Sequence, residues 1–86
     1  MSRLWPEGET ISVQCSGEQQ PVSFAWRGRV HRLAQVQQRW QVDADWWSTE
    51  GRVRRDYWAV TTTSGLLCVF YQDLEQGNWF LAKVYD

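Results

Sequence analysis

Four aromatic doublets constrain this chain more than any other feature: Trp46-Trp47, Tyr57-Trp58, Phe70-Tyr71 and Trp79-Phe80. Neighbouring residues on a strand point to opposite faces, so a doublet cannot be packed into a one-sided core. Each doublet is expected to send one ring inward and one outward. Seven Trp, three Tyr and three Phe stand in only 86 residues. A fully buried ring removes roughly 150–250 Å² from water, so a handful saturates an interior this small. The remaining rings belong to the surface or to a partner.

The C-terminal third reads as three strands joined by tight turns. DYWAVTT, LLCVFYQ and WFLAKVYD are rich in Val, Thr, Tyr, Trp and Phe, with TSG and DLEQGN between them. If Thr63-Ser64-Gly65 is a three-residue loop with Gly65 left-handed, Thr62 pairs with Leu66. Period-two alternation then puts Trp58, Val60, Leu66, Cys68 and Phe70 on one face. Tyr57, Ala59, Thr61, Leu67, Val69 and Tyr71 take the other. In the last strand Phe80, Ala82 and Val84 are uniformly apolar and are assigned to the core. Trp79, Leu81, Lys83 and Tyr85 then fall outside.

Upstream, ISVQC and VSFAW are short strands around a turn at SGEQQP. The segment RGRVHRLAQVQQRWQV fits part of a helical stripe (Val30, Leu33, Ala34, Trp40). It also fits a strand kinked near Gln37-Gln38 (Val30, Ala34, Val36, then Trp40, Val42). Gly28, the β-branched residues and the turn-like DAD favour the bent strand, with a helix over 29–39 as the alternative. The reading is all-β: a small antiparallel barrel or half-barrel of five to six strands with a C-terminal three-stranded meander. Residues 1–9 are expected as an N-terminal tail and 10–86 as a single domain. Trp26, Trp40, Trp58, Phe70 and Phe80 are core candidates. Of Trp46 and Trp47 one belongs to the core, and the other caps the barrel or projects as an anchor.

Nine basic and ten acidic side chains give a net charge of −1, which argues against a general polyanion binder. Seven arginines nonetheless lie between Trp26 and Trp58 against four acids, and Lys83 is the one lysine. Arg54 and Arg55 point to opposite faces, with Asp56 as their neutralising partner. Cys15 and Cys68, with His31, fall short of the four ligands of a structural zinc site. They are expected as buried or half-buried free thiols of a cytoplasmic protein. No apolar run is long enough to span a membrane.

WRGRVHRLAQV, W-x-V-x-x-D-W-W, R-R-D-Y-W-A-V-x-T-x-x-G and N-W-F-L-A-K-V-Y-D follow one another in an order that is itself informative. Together they resemble the small C-terminal domain of ImuB-like proteins, the catalytically inactive Y-family DNA polymerase homologues of the bacterial mutasome. They also resemble a free-standing bacterial family of unknown function related to it. The resemblance covers about Pro21 to Asp86. It implies an accessory module in translesion synthesis and the DNA-damage response, close to DNA and repair proteins. The chain differs from the fused form in having neither a polymerase-like region nor a recognisable clamp-binding peptide.

Catalysis is not expected. His31 is the single histidine, with no nucleophile–base pair near it. Asp43 and Asp45 read as turn formers, and no glycine loop cradles a phosphate. No cofactor or metal is implied. Interface centres favour Trp, Tyr and Arg over Lys, so a protein-interaction module leads, with Arg55, Tyr57, Tyr71, Trp79, Lys83, Tyr85 and Trp47 as its binding residues. The same face offers stacking platforms for weak single-stranded DNA binding. Carbohydrate binding is a more distant reading. An open barrel edge would let a second copy pair, so the chain is expected as a monomer or homodimer.

Overall fold

The computed structural model describes residues 2–18, 20–45 and 52–85, with side chains described from residue 8 onward except at 44, 45 and 52. Trp46 and Trp47 lie outside the described residues. Six strands follow one another: β1 (Ser2–Cys15), β2 (Pro21–Trp26), β3 (Arg29–Asp45), β4 (Arg52–Thr62), β5 (Leu67–Asp73) and β6 (Trp79–Tyr85). They pair antiparallel in chain order and close into a barrel, not a half-barrel, when β1 pairs with β6. No helix occurs among the described residues, and the segment 29–45 is one long strand.

Residues 2–9 belong to β1 rather than to a tail. Ser2–Leu4 and Glu9–Ile11 pair with β6, and Ser12 to Cys15 pair with β2. The β4–β5 hairpin forms as its sequence dictates. The Thr62 amide donates to the Leu66 carbonyl at 2.8 Å, and Gly65 takes φ +94°, a conformation that costs a Cβ-bearing residue about 1–2 kcal/mol. The β5–β6 turn opens with Asp73, whose Oδ1 accepts the Glu75 amide at 2.9 Å.

β4 alternates without interruption, so Asp56, Trp58, Val60 and Thr62 point inward and are buried. β3 keeps step with it only by means of two bulges. Leu33 pairs with Thr62 and Gln35 with Thr61, then Val36 with Val60 and Gln38 with Ala59. Residues 34 and 37 are thus extra, and each bulge bends the strand. The expected kink near Gln37-Gln38 is the second of these. The inward side chains of β3 become Leu33, Val36, Arg39 and Gln41. Trp40 therefore faces outward, 36% exposed, where the sequence places it in the core.

A third bulge overturns the face assignment of β6. Phe70 pairs with Leu81, but Val69 pairs with Lys83, leaving Ala82 as the extra residue. Before the bulge Trp79 and Leu81 point inward; after it Val84 does. Leu81 and Val84 are buried, and Trp79 packs against the same cluster. Phe80 is turned outward, while Lys83 and Tyr85 stay outside as expected. Unbroken alternation misplaces residues 79 to 81 because one inserted residue inverts the phase.

The interior is filled in layers across β3, β4, β5 and β6. Val36, Val60, Cys68 and Val84 form one layer; Arg39, Trp58, Phe70 and Leu81 form the next. Ile11, Val13, Phe24 and Trp26 close the core from β1 and β2. Phe24 stacks on His31 at 5.1 Å, and the Trp26 indole N–H donates to Glu9 Oε2.

Candidate functional site

With the core complete, the surplus rings are carried outside. Tyr57 lies between Trp40 and Tyr71, and Tyr71 pairs with Phe80, all in direct register. The four rings form a ladder across four strands. Centroids are 5.3 Å apart for Trp40–Tyr57, 4.9 Å for Tyr57–Tyr71 and 5.3 Å for Tyr71–Phe80. Such cross-strand aromatic pairs contribute about 0.2–1 kcal/mol each. Arg55 lies over the Tyr71 ring at 4.7 Å and donates to the Tyr57 hydroxyl at 3.3 Å.

Tyr71 is only 4% exposed although it lies on the outer face. Its neighbours in the ladder, Arg55 and the close backbone of Gly8 enclose it. Burial pushes its phenol above the ordinary tyrosine value; Arg55 opposes the shift, and Tyr57 and Asp73 add to it. Beside the ladder, a depression of about 480 Å³ is floored by Ala59, Leu67 and Val69 and bounded by Trp40, Tyr85, Gln37 and Gln38. Lys83 and Tyr85 sit at this end, with the ammonium 4.3 Å from the ring centroid.

Of the residues proposed from sequence, Arg55, Tyr57 and Tyr71 are in mutual contact, and Lys83 and Tyr85 share their face. Trp79 does not, because it points inward and meets Phe70 edge-on at 5.7 Å. Trp47 falls outside the described residues. Trp40 and Phe80 are the members that sequence reading leaves out, both displaced by bulges. The one local cue for β6 is Ala82, a small residue between two core positions.

A second feature lies at the open end of the barrel. Gln41, Asp56, Gln72 and Trp79 follow one another in register around a cavity of about 660 Å³. Asp56 is 5% exposed. Its partner is Arg39 from across the β3–β4 ladder, not Arg54 or Arg55, because Asp56 points into the barrel. Cys15 also lines this cavity and is exposed, against the expectation of a buried or half-buried thiol; Cys68 is buried, and the two are not joined in a disulfide. Among the described residues no cluster of three or more His, Cys, Asp or Glu is placed to hold a metal. Among the described residues no helix is long and apolar enough to cross a membrane.

A closed six-stranded barrel with an aromatic outer face and a polar mouth defines this chain as a small all-β barrel domain. It belongs to the family described as Domain of unknown function (DUF6504), whose model matches residues 5–86. No curated protein and no solved structure matches the chain.

Proposed function

We propose that this domain is a non-catalytic interaction module that binds a protein partner through the outer face of β3–β6. The observation that carries this reading is the Trp40–Tyr57–Tyr71–Phe80 ladder with the apolar floor of Ala59, Leu67 and Val69 beside it. Contiguous apolar surface outside an already filled barrel is characteristic of a contact face. Its layout also fits one: rings at the centre, with Arg55, Lys83, Gln37 and Gln38 at the edge. The sequence resemblance to the ImuB-like C-terminal domain supports a partner in bacterial translesion synthesis or DNA repair, met in the cytoplasm.

Stacking of single-stranded DNA on this face has less support. Tyr57 and Tyr71 are engaged by neighbouring rings, which leaves Trp40 and Tyr85 as the more open platforms. The test is surface plasmon resonance of the purified domain against ImuB-like protein, its mutasome partners and the sliding clamp. Trp40→Ala and Val69→Arg are run beside the parent. Saturable binding lost in both folded variants supports the reading. Binding to none of these proteins rejects the repair assignment, and salt-sensitive binding to an oligonucleotide lost in Trp40→Ala moves the face to DNA.

A further inference from the structure

The mouth of the barrel is distinct from the outer face. We propose that it is a second binding site, one that takes an uncharged nucleobase or nucleoside.

The first observation is an unpaired donor. Trp58 is 2% exposed, and its indole N–H has no hydrogen-bond acceptor. The ring is packed in the core cluster with the Arg39 guanidinium 4.3 Å over it, so the indole cannot swing to find one. Buried donors in native proteins are nearly always satisfied by protein, water or ligand. Trp58 also lines the mouth cavity, which is within the size range of small-molecule pockets. The N–H is itself enclosed, so an acceptor brought in through the mouth would answer it once the half-exposed Arg39 side chain shifts off the ring.

Charge narrows the ligand. Arg39 and Asp56 are engaged with each other through two hydrogen bonds, so their charges cancel. Glu18 is the remaining charged residue of the lining, and it disfavours a phosphate or carboxylate. A metal cation is poorly served, because both Asp56 oxygens already accept from Arg39. A neutral ligand fits best.

Shape and hydrogen bonding narrow it further. Gln41 and Gln72 flank Asp56 in register, and a carboxamide offers a donor and an acceptor side by side. That pair matches the adjacent N–H and C=O of a base edge, the contact by which Gln reads bases elsewhere. The Gln72 amide nitrogen already donates to the Gly77 carbonyl at 3.3 Å, which holds the side chain in place. Trp79 supplies a half-buried ring as a wall for a flat ligand. A base would bring a carbonyl for the Trp58 N–H, an amide-like edge for the glutamines and a planar ring for Trp79.

The experiment follows the indole N–H resonances of the ¹⁵N-labelled chain during titration with uridine and guanosine. Uridine monophosphate, a short oligothymidylate and glucose are run in parallel. Trp58→Phe assigns the resonance by its loss. Should that variant not fold, assignment comes from through-space contacts to Val60 and Phe70. The expected result is a saturable shift of the Trp58 resonance by a nucleoside, weakened about two- to tenfold in Gln72→Ala, the effect of one lost hydrogen bond. The monophosphate should bind more weakly than uridine, and Val30→Thr, far from the mouth, should match the parent. An oligothymidylate that binds more tightly than the nucleoside identifies the source as a strand; the reverse identifies a free nucleoside. No shift at millimolar nucleoside overturns the proposal, as does an equal response to glucose or an unchanged affinity in Gln72→Ala.

Discussion

Arg39 grips Asp56 with both ends of its guanidinium, Nε to Oδ1 at 3.1 Å and a terminal nitrogen to Oδ2 at 2.7 Å. The carboxylate is almost wholly inside the barrel, whereas the Arg39 side chain is 52% exposed. The bond to Asp56 keeps the guanidinium protonated beyond its ordinary value, against the pull of desolvation. The two partners should therefore be unequal in mutation. Asp56→Asn keeps the volume and drops the charge, for an expected loss of about 1–3 kcal/mol. Arg39→Met keeps apolar contact with Trp58 but strands a buried carboxylate, and should cost more. Urea unfolding of both variants checks the order; Arg39→Met as stable as Asp56→Asn would contradict it.

Gly8 and Gly65 separate crowding from backbone strain. Both have positive φ, +77° and +94°. A Cβ on Gly8 would lie 2.7 Å from Phe80 Cβ and from the Tyr71 hydroxyl, while one on Gly65 would meet nothing within 4 Å. Gly65→Ala should cost about 1–2 kcal/mol, the left-handed penalty alone. Gly8→Ala should cost about 1–3 kcal/mol more, because part of the ladder must move. Equal denaturation midpoints would show that β1 yields freely at this point.

Tyr71 gives the fold an alkaline limit. Its phenol is raised by burial, opposed by Arg55, so the folded state retains a proton that the unfolded chain releases near the ordinary pKa of about 10. The associated stability is complete below that pH and is lost as pH rises through the folded value. Tyr71→Phe removes this dependence. Between pH 9 and about 11 the parent should lose stability more steeply than the variant. Parallel pH profiles would place the titration elsewhere.

The bulge at Ala82 fixes the phase of the last strand. Deleting Ala82 would leave Lys83 directly after Leu81, so Lys83 stays outward and Val84, 1% exposed in the parent, stays inward; what is lost is the bend of the bulge. The deletion variant is expected to stay folded, destabilised by about 1–3 kcal/mol because the strand can no longer bend at this point. Ala82→Gly, which keeps the residue count, should stay folded at a cost of about 1 kcal/mol. A deletion variant without cooperative unfolding would mean that closure of the barrel depends on this bulge.

These bulges mark where sequence reading stops. The β4–β5 hairpin was fully legible, faces and register together, because Thr62 to Leu66 is a short loop with a glycine where one is required. β3 was legible as a bent strand but not as a face. Two insertions space its inward residues 33, 36 and 39 three apart, a spacing that imitates a helical stripe and conceals the outward Trp40. In β6 the sequence PheLeuAlaLysVal alternates plausibly in either phase, and only pairing with β5 selects one. The tyrosines, Arg55 and Lys83 were therefore legible as outer-face residues, but Trp79 was placed there in place of Phe80. The mouth escaped notice because Arg39, Asp56 and Trp58 meet only when β3 and β4 are paired.

The β1–β6 seam joins the first strand of the barrel to the last, with Ser2 opposite Tyr85. Until β6 has been synthesised and docked, β1 and β5 each present an unsatisfied ladder to whatever strand is nearby. Closure of the barrel therefore waits on a pairing between strands far apart in sequence, which slows folding. A product truncated before Trp79 would not be a slightly shorter barrel. It would be a sheet with two sticky margins, suited to templating aggregates of its own kind.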